Sequence, residues 1–394
     1  MSLLSKNADG TLTMPGLIDC HVHFREPGLT HKATMRSEAD AAIAGGVTTV
    51  CEMPNTNPPT TTVAALADKV RRAYEIEDCD IRFYFGVTEG PHLAALRELW
   101  QGESDELRRL KKRCCGLKLY LDHSTGNQKV QEDLVGDIFA ACGELAIPLV
   151  AHCEDPAMNA AAAAANTRTD IAAHSDMRPA ESEGLAIERA IAFSRQHKAA
   201  LHVAHLSTAQ GVALVREAKK EGLPVTCEVA PHHLFLTVDD YAQLGTRMKM
   251  NPPIRSLEHV ASLWEGISDG TVDCIATDHA PHTIEEKSNP EPLKAPSGVP
   301  GVETMLPLLL TVAAGSWPRE GDAWGSLSYD DIVRLCFENP NRIFRLGRDA
   351  AIGPHIVIDP DAEWTIEGKN LHSLCGWTPF EGWKVKGKIV KVLR

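Results

Sequence analysis

Pro15-Gly16-Leu17-Ile18-Asp19-Cys20-His21-Val22-His23 ends an apolar run on two histidines one residue apart, and Phe24-Arg25-Glu26-Pro27-Gly28 follows at once. Side chains at i and i+2 of a strand share one face. Both imidazoles can therefore reach one metal ion where the strand stops, and the Pro-Gly pair then turns the chain away. Cys20 alternates to the opposite face and reads as a packing residue. If His21 and His23 hold a metal, further ligands belong at the ends of other strands.

Working outward, short β-branched or aromatic runs recur at Leu17–Cys20, Val47–Met53, Ile81–Val87, Gly116–Leu121, Ile147–Cys153, Ala200–Leu206, Pro224–Val229 and Val272–Thr277. Amphipathic stretches separate them: Met35–Ala44, Val63–Glu75, Gln131–Leu145, Glu183–Gln196, Ala209–Glu221 and Leu257–Ile267. This alternation predicts an α/β fold, a (β/α)8 TIM-type barrel. An open doubly wound sheet would alternate in the same way, but it brings a Gly-rich phosphate loop after its first strand, and none is present. Polar residues end strands one, two, four, five, six and eight, and a barrel gathers those ends at one mouth.

After Asp278 come a Pro/Gly-rich loop, Pro290–Gly301, and helical stretches Val302–Ala313 and Tyr329–Phe337. The remaining segments, His355–Ile358, Trp364–Ile366 and Trp383–Val392, are strand-like. The expected division is a barrel over residues 14–345, with residues 1–13 and 346–394 forming a small β-rich layer. The Ala160–Ala165 tract reads as a surface helix.

The net charge of −13 over 394 residues argues against nucleic acid or an anionic membrane as partner. No apolar run approaches the ~20 residues that span a bilayer, and Met1–Gly10 lacks a signal-peptide core. The 11 cysteines form no CxxC pair or regular framework. Reduced thiols in a cytoplasmic protein are expected.

Five further positions complete a constellation with His21 and His23: Asn55 after the second strand, Lys118 among apolar neighbours in the fourth, and His152, His205 and Asp278 ending the fifth, sixth and eighth. Each has a plain structural reading. A strand-end histidine can be a hydrogen-bonded structural residue, Lys118 a snorkelling lysine and Asp278 a turn cap. Together, in barrel order, they point to metal chemistry. Four histidines and an aspartate exceed the three protein ligands of a catalytic zinc. Two metals need a bridging anion. Burial pushes a lysine towards its neutral amine, which can capture carbon dioxide as a carbamate with two oxygens and a negative charge.

The segments Pro15–Gly28, Glu52–Pro58, Gly116–Leu121, Val225–Leu236, Thr277–Glu286 and Gly298–Leu310 together resemble the dihydroorotases of the amidohydrolase superfamily, and the likeness runs to the ending Trp377-Thr378-Pro379-Phe380-Glu381-Gly382. The likeness is greatest to the class that includes the dihydroorotase domain of the animal multifunctional pyrimidine enzyme. This resemblance implies two zinc ions: one held by His21, His23, carboxylated Lys118 and Asp278, the other by Lys118, His152 and His205. It implies reversible cyclisation of N-carbamoyl-L-aspartate to L-dihydroorotate in pyrimidine biosynthesis through a metal-bridging hydroxide, with Asp278 moving the proton. Some relatives bridge through an aspartate in this region, which makes Asp122 the rival to Lys118. Ala204 stands where the animal domain has a cysteine that helps hold an additional metal.

The same resemblance assigns Arg25, Asn55 and His282 to the substrate's α-carboxylate. It directs Asn251 and Arg255 towards the pyrimidine edge and Pro300 and Gly301 towards it through their backbones, and it sets Ser124 and Thr125 in a mobile loop. The plain alternative for Arg25 is a salt bridge to Glu26 or another acid. The expected partners are the small-molecule substrate, a second subunit in a homodimer, and aspartate transcarbamoylase. Two rival functions remain: an allantoinase or hydantoinase sharing the metal residues, and a non-catalytic dihydroorotase-like subunit of an aspartate transcarbamoylase complex.

Overall fold

A computed structural model describes residues 3–123, 128–318 and 325–394. Strands β1 (Ser5–Lys6) and β2 (Leu12–Pro15) precede eight parallel strands: β3 (Leu17–Val22), β4 (Val47–Glu52), β5 (Asp80–Gly86), β6 (Cys114–Tyr120), β7 (Leu149–His152), β8 (Leu201–Val203), β9 (Val225–Val229) and β10 (Cys274–Ile275). Each of the first seven pairs with the next in chain order, and helices fill the connections. This is the expected α/β barrel. β4 and β6 are buried at every residue, as strands covered by helices on one side and by the barrel interior on the other must be.

The ring closes at a seam between β3 and β10 that is mostly side-chain work. One parallel bridge joins Val22 to His279, and the His23 amide donates to the His279 carbonyl at 2.7 Å. Below it the Asp19 carboxylate accepts from the Thr277 amide at 3.1 Å and from Thr277 Oγ1 at 2.5 Å. The eighth strand is accordingly shorter than the expected Val272–Thr277, because a carboxylate takes the amide that a ladder carbonyl would have taken. Phe344 sits edge-on to Tyr84 and His202, with ring centroids 5.8 and 5.1 Å apart, inside the bottom of the barrel.

β11 (His355–Thr365) and β12 (Lys384–Leu393) join β2 and β1 in a four-stranded antiparallel sheet of order β1-β2-β11-β12. The pattern reading splits β11 in two. The structure keeps it whole through a register shift between Asp359 and Glu363 that accommodates Pro360, since an irregularity relieves proline of a ladder hydrogen bond.

Two helices that the pattern reading leaves unassigned, Gly90–Gln101 and Asp105–Arg113, connect β5 to β6. The second buries only Leu110; it rests on the Ser104 cap, acidic residues in its first turn and basic residues in its last. Its apolar stripe is only Leu107 and Leu110 among seven charged residues, too short to stand out in the sequence. Among the described residues no helix is long and apolar enough to cross a membrane, and all 11 cysteines are free.

Candidate metal centre and anion pocket

The C-terminal ends of the barrel strands enclose a cavity lined by His21, His23, Arg25, Asn55, Tyr120, His152, His205, Asn251, Asp278, Ala280, Ser297 and Gly298. Three of its polar side chains stand on left-handed backbone: Arg25 at φ 64°, His205 at φ 32° and Asp278 at φ 47°. Such positions cost about 1–3 kcal/mol each and persist where the surroundings over-determine them. Here they turn side chains into the barrel mouth at the points where strands give way to loops.

Asp278 Oδ1 lies 3.2 Å from His21 Nε2 and 3.0 Å from His23 Nε2, and His152 Nδ1 lies 3.0 Å from His205 Nε2. Two donors ~2.0 Å from one zinc at the tetrahedral angle lie roughly 3.3 Å apart. Both spacings fit that requirement, and His21, His205 and Asp278 place ligand atoms within 4.8 Å of one another.

The second ring nitrogens are held from behind. Glu228 accepts from His21 Nδ1, Asn55 Oδ1 from His23 Nδ1 at 2.6 Å, and Glu154 Oε2 from His152 Nε2 at 2.8 Å. An acceptor there keeps the proton on the outer nitrogen and leaves the inner lone pair for a metal. Glu154 is gripped by Arg178 at 2.8 and 2.6 Å, while Glu228 also receives His202 Nε2 at 3.2 Å and Cys20 Sγ at 3.3 Å. Burial would raise the Asp278 carboxyl, but the imidazoles of His21, His23 and His205 outweigh it and hold it well below the usual carboxylate range.

Lys118 stands on β6 with Nζ buried and without a hydrogen-bond partner, 5.1 Å from the Tyr120 ring centroid. Burial pushes its ammonium down to about 8, against the pull of Glu228 and Asp278. An amine that is orphaned and readily neutral beside converging imidazoles is chemically suited to carbamate formation. His205 Nδ1 is likewise buried without a partner. The donor set therefore fits a two-metal centre bridged by a modified lysine. Neither Lys118 nor its rival Asp122 is among the lining residues, but Asp122 is spent on Asn159 Nδ2 at 2.7 Å and Arg178 Nη2 at 3.1 Å, whereas Lys118 Nζ has no partner.

Arg25 is 2% exposed, and burial lowers its guanidinium to about 10 against the nearby charges of Asp278, Glu286 and Glu52. Its Nε donates to the Pro281 carbonyl at 3.0 Å, and Nη2 meets His282 Nε2 at 3.1 Å. The expected alternative, a salt bridge to Glu26, is not made: Glu26 accepts from Arg72 Nη1 at 3.0 Å and the Met35 amide at 2.9 Å.

Other expected contacts fall elsewhere. His282 is not itself among the lining residues but touches two that are, Arg25 and Ser297. Pro300 and Gly301 are absent from the lining too. The Gly301 amide donates to His279 Nδ1 at 3.0 Å, and Ala280, Ser297 and Gly298 occupy the wall instead. Arg255 points away, donating to Ser207 Oγ at 3.2 Å and the Arg178 carbonyl at 2.6 Å. Asn251 lines the cavity, its Oδ1 accepting from His174 Nε2 at 3.0 Å and Ser297 Oγ at 3.2 Å. Ser124 and Thr125 lie outside the described residues.

Sequence reasoning missed Glu228 and Glu154. Glu228 interrupts the apolar run of β9 one residue from its end, and that was the available signal. Glu154 lies two residues past His152 and carries none without the fold.

The pattern describing the amidohydrolase family matches residues 12–351. The chain is 40% identical over 385 residues to a dihydroorotase of Halobacterium salinarum, covering 95% of this chain and 83% of the relative. It is 38% identical to a dihydroorotase of Brevibacillus brevis, covering 96% and 85%. It is 34% identical over 390 residues to the multifunctional protein CAD of Squalus acanthias, covering 99% of this chain and 15% of that protein. Among solved structures, L-hydantoinase (dihydropyrimidinase) from Arthrobacter aurescens superposes with a TM-score of 0.87 at 30% identity, covering 98% of this chain and 84% of that one.

Proposed function

The chain belongs to the amidohydrolase family, and from that premise we propose that it is a dihydroorotase, interconverting N-carbamoyl-L-aspartate and L-dihydroorotate at a two-zinc centre. His21, His23, Asp278 and a carbamate on Lys118 would hold one ion, and Lys118, His152 and His205 the other. Bound there, the ions would supply Lewis-acid polarisation of the ring carbonyl and lower the pKa of a water.

The protein's own groups do the rest. Arg25 grips the substrate carboxylate through parallel hydrogen bonds. His282 stands beside it. Asn55, whose Oδ1 is engaged by His23, turns its amide nitrogen to the substrate, and Asn251 with the wall of Ala280, Ser297 and Gly298 borders the ring. Asp278 takes the proton released in ring opening and delivers it to the departing ring nitrogen. Cyclisation reverses this order, so Asp278 then starts protonated and lower pH favours that direction.

One observation carries the substrate assignment. Arg25 is buried beside the imidazole cluster, and among the described residues no carboxylate lies within ion-pair distance of it. A buried charge left without a partner is costly, and the ligand itself is the natural counter-ion. A hydantoinase or allantoinase, acting on uncharged rings, would leave that cation idle. A scaffolding subunit would have no use for a full ligand set.

A homodimer, an association with aspartate transcarbamoylase and a cytoplasmic location complete the proposal. Similarity to one stretch of a multifunctional protein supports shared assembly, and eleven free thiols support a reducing compartment. The test is L-dihydroorotate turnover alongside zinc content on one purified sample. Turnover of hydantoin or allantoin with none of dihydroorotate would reject the substrate.

A further inference from the structure

His282 is packed among more polar groups than one imidazole can satisfy in a single state. Its Nε2 lies 3.1 Å from Arg25 Nη2 and 3.0 Å from the Ser297 carbonyl; its Nδ1 lies 3.1 Å from Lys32 Nζ and 3.3 Å from Glu286 Oε2. Burial, with Arg25, Lys32 and Lys287 nearby, pushes the imidazolium far down, so the ring is neutral and carries one proton. Two arrangements are open. With the proton on Nε2, Lys32 donates to Nδ1 and Nε2–H donates to Ser297. With the proton on Nδ1, Glu286 accepts from it and Nε2 accepts from Arg25.

The contacts favour the first. Lys32 is nearer Nδ1 than Glu286 is, and Glu286 is already engaged by Lys32 at 3.2 Å and by the Thr283 amide at 3.2 Å. In that state Nε2 cannot accept from Arg25, and a carboxylate oxygen that takes Nε2–H over from the Ser297 carbonyl and also accepts from Arg25 would relieve the contact between the two donors. We propose that Lys32 is a positioning residue for anion recognition: by donating to His282 Nδ1 it fixes the tautomer whose Nε2–H, with Arg25, receives the substrate carboxylate. Lys32 touches neither substrate nor metal in this scheme. The inference rests on the proposed carboxylate-bearing substrate.

Two measurements test it on the full-length, metal-loaded protein. Imidazole ¹⁵N spectra, with His282 assigned by its loss in His282→Asn, should report a bare Nδ1 and a protonated Nε2 in the wild type. They should report a shift towards Nδ1–H in Lys32→Met. Loss of a hydrogen bond to a charged group should raise KM for L-dihydroorotate on the order of tenfold, with kcat falling less than KM rises, and Lys32→Arg should restore most of it. Thermal unfolding monitors folding, and the wild-type spectrum tests the tautomer with no substitution at all.

A wild-type proton on Nδ1, or an unchanged KM in folded Lys32→Met, overturns the role of Lys32 while the enzyme's activity stands. Absence of dihydroorotate turnover in the wild type overturns the substrate, and the spectra then still decide the tautomer.

Discussion

Replacing Arg25 by methionine should make the protein more stable and a much poorer catalyst. Burial carries the guanidinium from 12.5 down to about 10. At 1.36 kcal/mol per pH unit that places about 3 kcal/mol of unfavourable free energy on the charged form. The side chain is charged in both folded and unfolded chains below pH 10, so the penalty is present in full near neutrality. Methionine removes it and forfeits the bond to the Pro281 carbonyl, about 1 kcal/mol, while relieving the donor–donor contact with His282 Nε2–H. The net expectation is a gain of about 2 kcal/mol in the ligand-free protein.

The substrate carboxylate would then enter a buried pocket without its partner. Truncating one side of such a pair costs about 2–5 kcal/mol, so kcat/KM should fall by roughly 30- to 5,000-fold. Urea unfolding and dihydroorotate turnover, on samples matched for zinc, read the two effects separately. Retained turnover together with a loss of stability greater than about 1 kcal/mol would mean that Arg25 is a structural cation, and the carboxylate reading would fall.

Lys118→Ala should lose metal and activity by more than the ~10–100-fold typical of removing an outer partner; full activity with bound zinc would remove the carbamate. Glu228→Gln and Glu154→Gln, which weaken the grip on His21 and His152, should each lower zinc affinity by about 10–100-fold in a chelator competition. Burial raises Asp19 to about 7 despite its bonds from Thr277 and His21. An acid whose folded pKa lies above its unfolded value withdraws stability as pH rises from about 4 through 7, by up to a few kcal/mol. Urea midpoints compared at pH 5 and pH 8 should therefore fall for the wild type and fall less for Asp19→Asn, whose amide can still meet Thr277 Oγ1; parallel slopes in the two proteins would exonerate Asp19.

Much of the fold and of the cavity is written locally in the sequence. The meeting of His21, His23, His152 and His205 at one cavity was readable because period-two alternation and strand-end position are local properties, and Lys118 stood out because a lysine inside an apolar run is conspicuous. The barrel followed from the count of alternating segments. The helix Asp105–Arg113 was not legible, since its stability comes from caps and charges, and β11 was split because Pro360 reads as a stop.

What the sequence determined by itself was the fold class and the identity of the groups gathered at one mouth, because both depend on spacing along the chain. What only the tertiary structure decided was which polar groups pair across it. Glu228 stands behind His21, 207 residues away in sequence. Asp19 closes the seam on Thr277 from 258 residues away. Arg25 meets a carbonyl and an imidazole in place of the acid beside it in sequence. Long-range pairing is set by how the barrel closes, and no local pattern encodes it.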